Sequence, residues 1–411
     1  RPRRSRARVR GSGRGIALVA SRYGNLRAAC FAGIAGFAMS CQVMPPGLTS
    51  IGEEFQLDET LQGLLFAMQY AGFLLTSVVG GWLSDHFGRK PFAVGGYYLV
   101  ALAFLTARSA PGYAVLGAAM FCVGCGAGLA ETLLSLVLAD AFPESRGRTL
   151  NLSQVFYNVG AVATLAAMGL LLKAGVGWRA GYLATALAAA ACGLWLHALR
   201  FPPSHHPAAP VSGDAPAPRG GFAVMAALAA AMMLYVGAEM TTGNWGPSYL
   251  EKTFSAGKDV AAYGTAAFWL AMMFGRMIYV ALVERWSYLA PMFFSAVLAA
   301  LASTLAVVSH HWTLAAAALF ASGLSLAGIW PTTLAYAAKV FPRRSGLVFG
   351  ILLAAGSAGL IVFPTLAGFI AERSVFRLRG GMSVAVVLLL LHAGLIAWLW
   401  ARERRASATR A

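Results

Sequence analysis

Gly80-Gly81-Trp82-Leu83-Ser84-Asp85-His86-Phe87-Gly88-Arg89-Lys90-Pro91 is a short charged stretch between two apolar runs, 60–83 and 91–108. Each run is close to the roughly 20 residues a helix needs to cross a bilayer core. The stretch therefore reads as a tight connection at a membrane surface. A glycine at the helix end lets neighbouring helices approach closely. Asp85 can pair with Arg89 or meet a helix N-terminus. Gly88 permits a tight turn, and Pro91 suits the first turn of the next helix. Gly81, Asp85, Gly88, Arg89 and Lys90 form the candidate latch, a charge cluster able to hold one arrangement of helices and release another.

Working outward, the same pattern recurs along the chain. Of 411 residues, 59% are hydrophobic and 11% charged, and the mean hydropathy is +0.67. A soluble domain carries about 25% charge, so a soluble fold is excluded, as is disorder for the bulk of the chain. Five cysteines in 411 residues exclude a disulfide scaffold. The expected fold is an all-α polytopic membrane protein, because a helix satisfies its own backbone in lipid. Twelve spans are expected, at 28–48, 60–83, 91–108, 112–141, 149–173 and 179–200, then 222–246, 262–283, 290–309, 312–340, 346–371 and 381–401. The first run shows no small-residue cleavage site and reads as a retained span rather than a signal peptide. Residues 201–221, FPPSHHPAAPVSGDAPAPRGG, read as a linker. The organisation expected is a basic tail 1–27, a six-helix bundle 28–200, the linker 201–221, a second bundle 222–401 and a tail 402–411.

The formal charge of +17 calls for no nucleic acid. Sorted by side, 24 of the 32 Lys and Arg fall with the termini and linker. By the positive-inside rule both termini are cytoplasmic and the location is a cell inner (plasma) membrane. A shift of 199 residues lays Ala139–Pro143 on Ala338–Pro342 and Asp85 on Glu284, which suggests two pseudo-symmetric halves around a midplane site.

Polar residues inside the spans mark candidate chemistry, because lipid makes them costly. Glu131, in GCGAGLAET, has no easy path to water and is the candidate proton-coupling group. Glu239 lies in YVGAEMTTGNW, with a helix break expected near Gly243, Gly246 and Pro247. Asn151, Gln154 and Asn158 share one helical face, with Tyr157 adjacent, and amides that both donate and accept suit hydroxyl-rich ligands. Gln42, Gln69 with Tyr70, Asn244, and the stacking candidates Trp245, Trp269 and Trp330 extend the solute site. Arg276 is expected to pair with Glu284 or with carbonyls. Asp140 lies about 13 Å beyond Glu131 along its helix, at the gate rather than in the site. Cys122-x-x-Cys125 reads as small-residue packing, and His205-His206 is weak evidence for metal, so neither metal nor cofactor is expected. The chain has no phosphate loop, zinc helix or nucleophile triad, which argues against an ATP-driven pump or an enzyme.

The Gly-Leu-Asp-Gly-Arg-Lys pattern of 81–90 resembles the signature loop of the major facilitator superfamily, and the six-plus-six layout agrees with it. Within that superfamily, Gly126-x-Gly128-x-x-Glu131-Thr132 and Val236-Gly237-Ala238-Glu239 with Asn244-Trp245 and Tyr249-Leu250 are similar to the fucose permease and related sugar:cation symporters. The resemblance implies a monomeric secondary transporter that moves a sugar-like solute with H⁺ or Na⁺, and a span-four glutamate, Glu131, that helps carry the proton. That group also uses an aspartate in span one, where this chain has Gln42, which can bind a hydroxyl but cannot exchange a proton. Export of drugs or metabolites within the same superfamily, and a non-transporting receptor, are the other readings of these residues.

Overall fold

Long apolar runs broken by short polar turns have one solution in lipid, a helix per run, and the chain takes it. The computed structural model describes residues 24–142, 146–202, 221–285, 288–341 and 345–408. Among the described residues there are fourteen helices and no strand. The first half holds α1 (Gly24–Gln42), α2 (Met44–Phe55), α3 (Glu59–Phe87), α4 (Arg89–Arg108), α5 (Tyr113–Ala141), α6 (Arg146–Lys173) and α7 (Trp178–Ala198). The second holds α8 (Gly221–Phe254), α9 (Lys258–Arg285), α10 (Leu289–Val308), α11 (Trp312–Leu326), α12 (Ile329–Val340), α13 (Ser345–Arg373) and α14 (Leu378–Ala408).

Two pairs of these helices each make one crossing. α1 and α2 meet at Val43, which keeps helical angles (φ −75°, ψ −31°). Pro45 and Pro46 follow it in the first turn of α2, where a missing N–H costs nothing. α11 and α12 meet at Ala327 and Gly328, inside a run expected to be one unbroken span. Among the described residues eleven segments are long and apolar enough to cross a membrane, and α9, at 28 residues, is the remaining long helix. The central linker falls almost wholly on 203–220 and the N-terminal tail on 1–23, outside the described residues.

One expectation needs correction. α8 is not broken near Gly243, Gly246 and Pro247 but runs unbroken through Pro247. Residues 235–250 are buried without interruption. A Cβ at Gly243 would stand 2.8 Å from the Trp269 ring, and one at Gly246 2.8 Å from the Thr265 hydroxyl. These glycines bring α8 against α9, and the helix continues past its proline.

The two halves are pseudo-symmetric. In the first, α1 packs on α6, α3 on α5, and α4 on α7. In the second, α8 packs on α13, α9 on α11, and α10 on α14, which are the corresponding pairs. The halves meet along α3–α13 and α6–α9, again each other's counterparts. α5 is capped by Phe142 (φ −131°, ψ 60°) and α12 by Phe341 (φ −121°, ψ 58°), so the two repeated phenylalanines share a backbone geometry. The Thr49 hydroxyl donates to Ser248 Oγ at 3.5 Å, joining residues 199 apart across the seam.

Contacts between the halves concentrate on the face opposite the termini. Lys252 pairs with Glu59 at 3.0 Å, Lys258 with Glu53 at 3.3 Å and Lys173 with Asp259 at 3.5 Å. The Thr60 hydroxyl donates to the Glu372 carboxylate, and Thr365 to the carbonyl of Gly63 at 3.2 Å. On the other side, a hydrogen bond runs between the halves from Arg276 to the Gln154 carbonyl. The seam is thus sealed on the far face.

Candidate functional site: a polar cluster at the seam

The connection between α3 and α4 turns on one residue. Gly88 has φ +84°, a region costly for side-chain-bearing residues. Arg89 follows it and is buried, 7% exposed. The guanidinium forms an ion pair with Asp140 at the end of α5 and donates to the Leu136 carbonyl at 2.9 Å. Both partners lie in the same bundle, so in this arrangement Arg89 ties α4 to α5 rather than one bundle to the other. The residue bringing helices together is Gly80, whose Cβ position lies 2.6 Å from Leu129. Gly81, expected in that role, faces open space. Lys90 is half-buried beside it. The side chain of Asp85 lies outside the described residues, as does that of Asn151.

The seam gathers most of the polar residues singled out above. Gln42 on α1 is fully buried, with the Tyr157 hydroxyl beside its amide. Neither its oxygen nor its nitrogen completes a hydrogen bond. Gln69 on α3 donates to the Ser40 carbonyl at 2.9 Å and leaves its amide oxygen unpartnered. Asn158 on α6 is fully buried with both amide atoms unpartnered. From the second half, Asn244 meets the Tyr70 hydroxyl at 3.3 Å, and Trp269 is buried with its indole N–H unpartnered. The Tyr157 and Trp269 rings touch edge-on across the seam at 5.7 Å, and Phe37 backs Tyr157 at 5.4 Å.

Buried polar atoms are satisfied in the great majority of cases. Each one left bare costs about 1–3 kcal/mol. A concentration of bare amides and one indole N–H at a seam between two bundles is therefore a place built to receive hydrogen-bonding groups from elsewhere. Donors and acceptors are both present, which suits hydroxyls, and the aromatic edges suit an apolar ring face.

Two acids stand near this cluster. Glu239 on α8 is 6% exposed, with the Tyr235 hydroxyl beside it one turn earlier. It lies within electrostatic reach of Tyr70 and Tyr157 in the other bundle. Glu131 on α5 is partly exposed, accepts from Ser135 one turn on, and lies within electrostatic reach of Cys41 and Tyr97. It therefore sits on the inner side of its bundle, facing α1 and α4.

Other expected site residues do different work. Trp245 donates its indole N–H to the Pro364 carbonyl at 2.8 Å and packs edge-on against Phe66, so it joins α8, α13 and α3. Trp330 starts α12 with its ring against Gly356 of α13. Gln154 meets the second half through its main-chain carbonyl, which accepts from Arg276 at 3.1 Å. Arg276 thus finds a carbonyl, as expected, but one in the opposite bundle. His392 on α14 was not anticipated. It is fully buried, its Nδ1 sits 2.8 Å from the Ala231 carbonyl, and its ring lies 6.3 Å from that of Tyr235. The lone histidine in VLLLLHAGL was the available signal, since an ionisable residue inside an apolar run is a candidate by default. Among the described residues no group of acids, histidines and cysteines could hold a metal. An apolar groove of about 400 Å³ between α4 and α5, lined by Leu99, Leu102, Ala103, Val115 and Ala119, opens on the outer surface and takes no part in the seam.

The fold and the seam can be set beside known proteins. A family model described as Major Facilitator Superfamily matches residues 29–226 and 227–411. An uncharacterized transporter of that type, YfkL of Bacillus subtilis, is 23% identical over 348 residues, 80% of this chain and 85% of that protein. A D-xylose-proton symporter superposes with a TM-score of 0.75 at 16% identity, over 91% of this chain and 97% of that one. A bacterial homologue of the human lysosomal transporter Spinster, in an inward-facing and occupied conformation, gives 0.77 at 16% identity, over 93% and 97%. With the family model spanning nearly all of a twelve-crossing, two-bundle chain, the protein belongs to the Major Facilitator Superfamily of membrane transporters.

Proposed function

We propose that this chain moves a small hydroxylated solute, a sugar or close relative, across a cell inner membrane by alternating access, with uptake driven by protons through Glu131. The observation that carries the reading is the set of bare amides at Gln42, Gln69 and Asn158, joined by the unpartnered indole of Trp269. Such a cluster has little to offer an apolar drug, whose binding would leave those groups unsatisfied. The D-xylose-proton symporter of like fold adds support at the level of solute class. Charge sorting supports cytoplasmic termini and puts the sealed face outside. On this reading residues 201–221 form the cytoplasmic link between bundles 28–200 and 222–401, and the working unit is a monomer. The test is uptake by purified protein in liposomes under an imposed pH gradient, scored over a panel of neutral and charged sugars and, in parallel, lipophilic cations. Concentrative sugar uptake supports the reading. Transport of the lipophilic cations alone overturns it in favour of efflux, and the absence of any flux favours a receptor.

Alternating access requires the outer seal to open. The Thr49 and Ser248 hydroxyls lie 3.5 Å apart across it. A disulfide needs Cβ atoms about 3.5–4.5 Å apart. With the five native cysteines replaced, Thr49→Cys combined with Ser248→Cys is expected to cross-link under mild oxidation. Transport should then fall to background and recover on reduction. Cross-linked protein that transports at the uncross-linked rate would show that the seal does not open.

A further inference from the structure

The proposed site contains one cation, and the way its donors are disposed bears on the solute. Arg276 lies on α9, seven residues after Trp269 and therefore on the same helical face. Its Nη1 donates to the Gln154 carbonyl across the seam at 3.1 Å. Its Nη2 has only the Met272 sulfur, at 3.9 Å. Its Nε is buried and unpartnered. Nε and Nη2 share one edge of the guanidinium, the edge whose two parallel N–H groups match a carboxylate. The end that could hold the side chain in place is used, and the fork is left over.

No acid fills that fork among the described residues. Glu239 on the facing helix lies within electrostatic reach of Arg276 but forms no ion pair with it. The side chain of Glu284 lies outside the described residues. Arg276 is partly exposed, but a buried N–H left without an acceptor, as at its Nε, is costly, and the cost is met if the acceptor arrives with the solute.

We infer that the transported solute carries a carboxylate in addition to its hydroxyls, a sugar acid in chemical class, and that Arg276 receives it through its Nε–Nη2 edge. This rests on the transport reading above. The bare amides of Gln42 and Asn158 and the Trp269 indole remain for the hydroxyls and the ring. A carboxylate bound at that edge would be held by a side chain already bonded to the other bundle, so occupancy would draw α6 and α9 together.

The experiment measures binding of D-glucuronate and D-glucose to the purified full chain by calorimetry, with proteoliposome uptake of both as a second readout. Glucuronate is expected to bind at least tenfold tighter than glucose. In Arg276→Gln that preference should collapse to about one. In Arg276→Lys, which keeps the charge and loses the fork, it should fall to an intermediate value. Equal affinity for the two sugars in the native protein, or a preference undiminished in Arg276→Gln, overturns the inference. Binding of glucose without glucuronate overturns it while leaving the transport reading standing. If neither sugar binds or moves, both readings fail together. Should Arg276→Gln not fold, the native preference and the Arg276→Lys value decide the matter between them.

Discussion

Glu131→Gln is expected to abolish concentrative uptake while leaving solute exchange intact. Under a pH gradient of two units each proton carries about 2.7 kcal/mol, enough for about a hundredfold accumulation of a co-transported solute. The variant should bring that ratio to about one. Glutamine matches glutamate in size, and its carbonyl can still accept from Ser135, which Glu131 does now. Helix packing around it therefore has no reason to change. What is lost is the exchangeable proton. Counterflow, in which labelled solute enters against unlabelled solute inside, needs no net proton movement and should persist. Gln42 cannot take over, because it carries no titratable group, and the other acid near the seam is Glu239. The experiment therefore pairs Glu131→Gln with Glu239→Gln. A ratio near one-hundredfold in the first variant and near one in the second would move the coupling role to Glu239.

Much of the fold was legible because a membrane admits so few alternatives. The span expected at 91–108 is α4 at Arg89–Arg108, and that expected at 149–173 is α6 at Arg146–Lys173. Apolar runs and charged turns fix such ends directly. The errors fall where local signals and packing disagree. Gly243, Gly246 and Pro247 together read as a break, yet α8 passes through them because those glycines admit Trp269 and Thr265 of α9. The interruption that does occur, at Ala327 and Gly328, lies in a continuous apolar run, and both residues keep near-helical angles (φ −54° and −96°). The available signals were Gly328 and Pro331, a proline having no N–H to give the Ala327 carbonyl four residues before it.

The site was legible in kind and less so in detail. Rarity of amides and acids within apolar runs singled out Gln42, Gln69, Asn158 and Glu239 as candidates, and Trp269 was singled out as a ring able to stack. What a single chain cannot display is which partner each group takes across forty or more residues. Arg89 pairs with Asp140, fifty-one residues away, and Trp245 spends its N–H on the Pro364 carbonyl. Arg276 reaches into the opposite bundle. These choices depend on helix rotation, and helix rotation is set by small residues whose significance appears only when the neighbouring helix is in place.

Gly124 shows how far that dependence goes. It lies on the face of α5 that meets α3, and a Cβ there would collide with the main-chain carbonyl of Gln69. Gly72 of α3 is equally constrained by the main-chain carbonyl of Phe121, so two backbones touch at successive turns. A main chain inside a helix cannot rotate away as a side chain can. Gly124→Val must therefore push α3 and α5 apart, at or beyond the upper end of the about 1–3 kcal/mol usual for overpacking. The apparent Tm in detergent should fall by at least about 5 °C. Because Gln69 and Tyr70 ride on the displaced segment, and Tyr70 reaches Asn244 across the seam, solute binding should weaken with it although Gly124 touches no solute. Gly81→Ala is the control, since a Cβ there meets nothing. Alanine also favours helix by up to about 1 kcal/mol over glycine, so that variant should hold or raise the Tm. Equal Tm values for the two variants would show that close contact between α3 and α5 does not hold this bundle together.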